Sequence, residues 1–423
     1  LLPLLILCYF LAYLDRANVG IAALEMNADL GFTPTIFAFG SGVFFIGYFL
    51  FEVPSNWALD KFGARLWIAR IMVTWGLLAS CTAFVWDAHS FYWVRFLLGV
   101  AEAGFLPGVV LYLSRWFPAQ ERAAIMAVFF LGLPLSYIVG SPLSGALLGF
   151  HGWLGMAGWK WMFLLEGIPT VIVGFICLKI LTDRPGDARW LTQEERTWLT
   201  ATIEAESKLR SGAGSSSFLS GLRQANVWAL GLAYVGIIMG TYGLGLWLPQ
   251  IVKPLGYGNF GTGVISAVPY VFAAVAMVLW SRSSDRHNER RWHAVLPCLL
   301  ACICLIMSAV ADSQLVSLAF LTAAAVGILA SMSTFWAVPT ALLSGAAAAS
   351  GIALVNSIGN LGGFAGPYLV GYVREATGSF QTAMFFLAFC PLLSAVILYA
   401  MTSRRALPED VASLKISPAA NPR

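Results

Sequence analysis

The chain has 423 residues, 59% of them hydrophobic and only 11% charged, with a mean hydropathy of +0.78 and a net charge of +4. A water-soluble domain carries about 25% charged residues because its surface must be wetted, so a soluble globular protein is excluded and a bilayer is the remaining solvent. The small net charge and the lack of a basic run interleaved with aromatics leave no case for nucleic acid as a partner.

A spanning helix needs about 20 largely apolar residues. Twelve stretches qualify, at 1–23, 36–59, 66–86, 91–116, 122–149, 160–181, 228–251, 262–281, 293–311, 314–338, 347–372 and 380–402. The first opens at Leu1, already inside an apolar run, so the natural N-terminus is expected upstream. It has no small-residue cleavage site and reads as a membrane helix and not as a removable signal.

Between the sixth and seventh stretches lies the one long polar segment, Asp183 to Asn226. Thr192 and Glu195 form a capping box that predicts a short helix through "ERTWLTATIEAESKL". Trp198, Leu199 and Ile203 give it an apolar stripe, either lying against the membrane and the helix ends or riding on a solvated tether. "SGAGSSS" then reads as a flexible linker. The expected organisation is an N-terminal bundle over 1–182, a linker over 183–226, a C-terminal bundle over 227–403 and a tail over 404–423.

Lysine and arginine orient the chain. Nineteen of the 25 fall on one side: Lys61, Arg65, Arg70, Arg115, Arg122, the six of the central segment, Arg282, Arg286, Arg290, Arg291 and the four beyond residue 403. By the positive-inside rule that side is cytoplasmic, and both termini and the central segment lie there.

The two halves repeat. Asp60 and Arg65 follow the second stretch as Asp285 and Arg290 follow the eighth, and an offset of 225 residues separates Asp60 from Asp285 and Pro142 from Pro367. A parallel repeat of two six-helix units with binding at their interface is a transporter architecture. Seven cysteines without a C-x-x-C, three of them in the apolar run "CLLACIC", read as small buried hydrophobes. The four histidines, His89, His151, His287 and His293, fall in loops or at helix ends. No cofactor or metal is expected. No enzyme is expected either: there is no nucleophile with a base and no phosphate loop, "GTYGLG" being packing glycines inside a helix.

Four charges fall inside the first and fourth stretches, where each is costly unless it is paired or lines a wet cavity. Asp15 and Arg16 are adjacent, and Arg95 and Glu102 lie two turns apart on one face. Together they are neutral when all are ionised. An arriving carboxylate would take the Arg16 fork and make the set negative. A proton on Asp15 or Glu102 restores neutrality, so anion and proton favour each other's binding. Arg95 either joins this chemistry or clamps Glu102 or a helix end. Glu52 and Glu166, nearer the ends of their helices, read as structural. The second half offers Tyr234, Tyr242, Ser333, Trp336, Asn356 and Asn360, with no strong charge within its spans.

"NWALDKFGAR" resembles the loop 2–3 signature of the major facilitator superfamily, with Asn56 in place of its leading glycine. "LDRANVGIAAL", "RFLLGVAEAGFLPG", "WKWMFLLEGIP" and "NSIGNLGG" resemble the anion:cation symporter family within it, in the branch of bacterial permeases for tartrate-like and hydroxyphenylacetate-like acids. The resemblance runs from the first stretch to the last. It implies an all-α fold of twelve transmembrane helices in two pseudo-symmetric six-helix bundles, a bacterial inner-membrane location and a monomer surrounded by lipid. It also implies proton-coupled uptake of a small organic acid anion, with Asp60, Arg65, Asp285 and Arg290 as the cytoplasmic gate motif. On the resemblance Asp15, Arg16 and Glu102 serve the protons and the anion, and Tyr234, Ser333, Trp336 and Asn356 line the cavity, opposite Tyr13, Tyr48 and Arg16; from the residues themselves Arg95 is set with the proton groups and Tyr242 with the substrate groups. Members that carry sugar acids tend to have a polar side chain where Leu133 stands, so a short hydroxy-diacid or an aromatic acid is favoured. Two rivals remain: an efflux antiporter, because "GSPLSG" partly resembles the fifth-helix motif of drug exporters, and a passive facilitator.

Overall fold

A computed structural model describes residues 1–211, 224–343 and 347–403. The expected "SGAGSSS" linker, apart from Ser211, and the tail from 404 lie outside the described residues. All regular structure in the described residues is helical. Among them, eleven spans are long and apolar enough to cross a bilayer.

In the first half these are α1 (Leu2–Leu30), α2 (Pro34–Phe62), α3 (Ala64–Cys81), α4 (Ala88–Glu102) continued by α5 (Phe105–Trp116), α6 (Ala119–Phe130) continued by α7 (Gly132–Leu147), and α8 (Gly158–Ile180). The linker helix α9 (Gln193–Ser211) follows. The second half holds α10 (Ala225–Val252), α11 (Asn259–His287), α12 (Arg291–Val310), α13 (Gln314–Phe335) continued by α14 (Ala337–Leu342), α15 (Ala347–Asn360) continued by α16 (Gly362–Thr377), and α17 (Phe380–Ser403). α15 and α16 are each too short to span alone and run on from one another about Leu361.

Local chemistry sets the ends. Thr33 Oγ1 accepts from the Ile36 N–H at 3.3 Å with Pro34 at the first turn, and α1 stops at Gly31 in the left-handed region. α1 therefore runs seven residues past the expected end at Ala23, because hydropathy marks the part in lipid and not the last helical turn. Asp87 and Ser90 cap α4 reciprocally. The Thr192–Glu195 capping box forms as expected: Glu195 Oε2 accepts from the Thr192 N–H at 2.8 Å, and Thr192 Oγ1 accepts from the Glu195 N–H at 3.3 Å. The expected stripe on α9 divides, with Leu199 and Ile203 half-buried and Trp198 turned outward.

Of the four points where the expected spans divide, only Ala103–Gly104 leaves helical geometry; Leu131, Trp336 and Leu361 keep right-handed helical angles, and at Leu131 and Leu361 the N–H bonds the carbonyl three residues back. The break at Ala103–Gly104 follows Glu102 directly. Gly104 sits at φ 81, where a side chain is strained, and a Cβ there would stand 2.5 Å from Ser55 Oγ. Among the described residues the one discontinuity inside a span is therefore in the fourth, beside Glu102, and transporter binding sites are built at such discontinuous helices.

The outer surface is apolar, as lipid requires: Phe272, Val275 and Leu279 form one exposed stripe on α11. Between the halves, α2 packs on α16, α7 on α11 and α1 on α10. They meet closely at the end that holds the α1–α2 and α10–α11 turns. Phe37 lies edge-on to Trp247, Asn259 Nδ2 donates to Glu25 Oε1 at 2.7 Å, and Glu375 Oε2 accepts from the Thr35 N–H at 2.8 Å. The opposite end carries Asp60, Asp285 and most of the basic residues. We call it the basic end.

Candidate substrate and proton site

Arg16 projects from mid-α1 toward the second half. Its guanidinium donates through Nη2 to Glu102 Oε1 in a short ion pair and through Nη1 to the Tyr242 hydroxyl at 2.7 Å. One fork is thus shared between an acid of α4 and a phenol of α10. Four rings surround it: Tyr13 at 4.8 Å, Phe44 at 5.1 Å, Tyr48 at 5.5 Å and Phe45 at 5.7 Å. Such a cage shields the cation from lipid without neutralising it. Arg16 Nε and Glu102 Oε2 are both buried and lack hydrogen-bond partners. A buried polar atom left unpaired costs about 1–3 kcal/mol, so this pair holds bonding capacity in reserve.

Arg95 is buried and does not clamp Glu102, which pairs with Arg16 instead. Its guanidinium lies 5.2 Å over Phe44, and its Nε is without a partner. A cavity of about 20 Å³, room for about one water, lies between the halves, lined by Arg16, Ser41, Arg95, Tyr137, Tyr242 and Pro367 among others. Tyr137 stacks on Tyr270 of α11 at 4.1 Å beside it.

Asp15 faces elsewhere. Successive residues of a helix point about 100° apart, so with Arg16 toward the interface Asp15 turns into the first bundle. There it accepts from Trp75 Nε1 of α3 and, at 3.4 Å, from Asn18 Nδ2. Asn18 Nδ2 also donates to Glu166 Oε2 at 2.7 Å, and Ser144 Oγ donates to Glu166 Oε1 at 2.7 Å. The four charges expected as one neutral set are thus divided by their hydrogen bonds, Arg16 with Glu102 at the interface and Asp15 with Trp75 and Asn18 behind it, while Asp15 stays within electrostatic reach of Arg95 and Glu102.

The second-half candidates are spread out. Tyr234 is buried, stacked on Phe335 at 4.7 Å and edge-on to Trp336 at 4.9 Å, where α13 runs into α14. Ser333 Oγ lies 2.9 Å from Ser281 Oγ, bonded between α13 and α11. Asn356 Nδ2 donates to Glu52 Oε1 at 3.1 Å, and Ser357 Oγ donates to Glu52 Oε2 at 2.9 Å. Asn360 ends α15, where it runs on into α16. Leu133 is buried at the start of α7.

At the basic end Asp60 pairs with Arg115 at 2.6 Å, and Arg65 donates from its backbone N–H to Asp183 at 2.9 Å and from Nε to the Leu178 carbonyl at 2.7 Å. The second-half counterpart is internal, Arg290 Nη1 to Asp285 at 2.5 Å. Sequence reasoning passed over Asn18, Trp75, Ser144 and Ser357. Asn18 is three residues from Asp15 on the same helix face, and Ser357 adjoins Asn356; those spacings were the available signal.

The chain matches the Major Facilitator Superfamily over residues 5–367. It belongs to that superfamily. Within it, the carrier is 54% identical over 397 residues, covering 94% of this chain and 88% of the relative, to a protein of Agrobacterium vitis named "Putative tartrate transporter". It is 40% identical over 400 residues to the "Quinolone resistance transporter" of Acinetobacter baumannii, covering 94% of this chain and 92% of that protein. Among solved structures it shares its fold with a bacterial homolog of the human lysosomal transporter Spinster, in an inward-facing, occupied conformation. The TM-score is 0.78 at 16% identity, over 96% of this chain and 97% of that one. The carrier is a membrane transporter of this fold and not an enzyme.

Proposed function

We propose that the carrier is a symporter that imports a small organic acid anion together with protons by alternating access. The observation that carries this reading is the shared Arg16 fork, held at the interface of the halves between Glu102 and Tyr242. A substrate carboxylate needs that planar pair of donors, and taking it displaces Glu102. The displaced carboxylate, buried without a cation, is costly as an anion and cheap as a neutral acid. Substrate and proton therefore favour each other. Asp15, behind Arg16 and tied to Trp75 and Asn18, is a second place for a proton. Tyr13 and Tyr48 hold the fork in place, while Tyr234, Ser333, Trp336 and Asn356 read the remainder of the substrate. Asp60, Arg65, Asp285 and Arg290 act at the cytoplasmic gate.

The tartrate name of the Agrobacterium relative supports a hydroxy acid as substrate. On this reading residues 1–182 and 227–403 are the two moving bundles of a monomer in a bacterial inner membrane. The basic end and both termini face the cytoplasm. A panel of hydroxy, aromatic and sugar acids offered to purified carrier in a binding assay tests the substrate class. Binding of short organic acids is expected, and binding of none of them overturns it. One relative supports a rival: the quinolone resistance name fits a proton-driven exporter of organic compounds. The same panel with quinolones added separates the two, since an exporter of that kind binds the drug and ignores the acids.

A further inference from the structure

Glu52 lies one turn from Tyr48 on α2 and is 4% exposed. No cation pairs with it among the described residues. Its two oxygens are divided between consecutive residues of the opposite half, Oε1 to Asn356 at 3.1 Å and Oε2 to Ser357 at 2.9 Å. One neutral donor on each oxygen is a carboxylate cradle, and here it is filled by a carboxylate of the carrier itself. The cradle is near the end of α15, and the acid is on α2 of the facing bundle. Glu52 stands two turns before Asp60 on the same helix, so this bond joins the halves on the side of the basic end; in alternating access they must part there, and the bond cannot persist. Two donors then stand open toward the pathway, where an unpaired polar group is unfavourable.

The Arg16 fork is arranged alike, with a carboxylate of the carrier, Glu102, on a donor set that a substrate would use. We propose that Glu52 is a built-in stand-in for substrate. It occupies the Asn356–Ser357 cradle in the empty carrier, and the cargo is a dicarboxylic acid whose one end takes Arg16 while the other displaces Glu52. This rests on the organic-anion reading above. It adds a second carboxylate subsite, with Ser357 as one of its donors and Glu52 as its competitor. Displacement also frees the two halves at the basic end, so a diacid opens a contact that a monoacid leaves closed.

The competition has a signature that a merely structural bond lacks: removing Glu52 tightens binding, and only for ligands with two carboxylates. The test measures affinities of tartrate and succinate, and of their one-carboxyl counterparts threonate and 4-hydroxybutyrate, on purified parent, Glu52→Ala, Glu52→Gln and Ser357→Ala. Melting temperature serves as the check on folding. Glu52→Ala is expected to bind the diacids about tenfold tighter, the worth of about one regained hydrogen-bonded contact, and to leave the monoacids within about twofold. Glu52→Gln shifts in the same direction by less, because its amide oxygen still reaches one donor. Ser357→Ala weakens the diacids about tenfold. If folded Glu52→Ala, or Glu52→Gln should the alanine form not fold, binds diacids no tighter than the parent, the proposal is overturned. Equal gains for monoacids and diacids overturn it too. A parent that binds none of the four acids overturns the organic-anion reading and this proposal together.

Discussion

Arg16→Lys keeps the charge on α1 and removes the fork. In the structure the guanidinium makes two bonds in different directions, to Glu102 and to Tyr242 at 2.7 Å. An ammonium is a point donor on a flexible stem and cannot present two parallel N–H groups to one carboxylate. Lysine retains the ion pair with Glu102, so folding is expected to survive. What it loses is one charge-assisted bond to the substrate and the planar match, about 2–3 kcal/mol. That is about 30- to 150-fold in affinity. The assay is equilibrium binding of tartrate to detergent-purified parent and variant, with a melting curve on each. A variant that melts like the parent and binds within about threefold of it would refute the assignment of Arg16 as the carboxylate site. Arg95, buried 5.2 Å from the same Phe44 ring, would be next in line.

Glu102→Gln and Asp15→Asn are each expected to bind substrate and exchange it across the membrane, yet fail to concentrate it on an inward proton gradient. Parental accumulation by both sinks the proton assignment. Asn356→Ala is expected to alter which acids are carried, by about 1–3 kcal/mol for each lost bond, while the pH dependence of uptake stays; unchanged preference with lost coupling reverses the division of labour between the halves. Gly20→Ala places a Cβ 2.7 Å from the Leu246 carbonyl oxygen where α1 crosses α10. It should slow transport by holding the far end ajar, read as increased labelling of a cysteine introduced at Asn259. Glu289, outside the membrane, is raised by burial, but the Trp292 N–H and the imidazole and N–H of His293 more than offset this and hold it below the usual range. A lowered folded-state pKa gives stability that is present above the ordinary glutamate range and lost as pH falls. Glu289→Gln should therefore melt below the parent at neutral pH, with the gap closing as the pH is lowered through that range.

The fold was legible because bilayer burial writes itself in hydropathy. Twelve apolar stretches, the 225-residue echo of Asp60 in Asp285 and the Thr192–Glu195 box all have local causes. The discontinuity at Gly104 was not, since it stands in a run as apolar as any unbroken helix, and the close approach of Ser55 decides there. Of the site, Arg16 and Glu102 were marked by the cost of a charge in lipid, and their pairing with each other was not. Seven residues of spacing put Arg95 and Glu102 on one face of one helix, whereas the partner came from another helix and only tertiary structure supplies it. The same limit hid Glu52: its donors Asn356 and Ser357 lie some three hundred residues away, and no local pattern joins them.

The central claim is that substrate and protons enter together, and proton movement itself is the most direct reading of it. Carrier is reconstituted in liposomes holding a pH-sensitive dye, at equal pH inside and out with the membrane potential clamped at zero, and an organic acid that binds is added outside. The account predicts that the lumen acidifies only when carrier is present, and that Glu102→Gln abolishes the signal while leaving substrate exchange in place. A lumen that turns alkaline, as for an antiporter, or substrate entry without any pH change would contradict it.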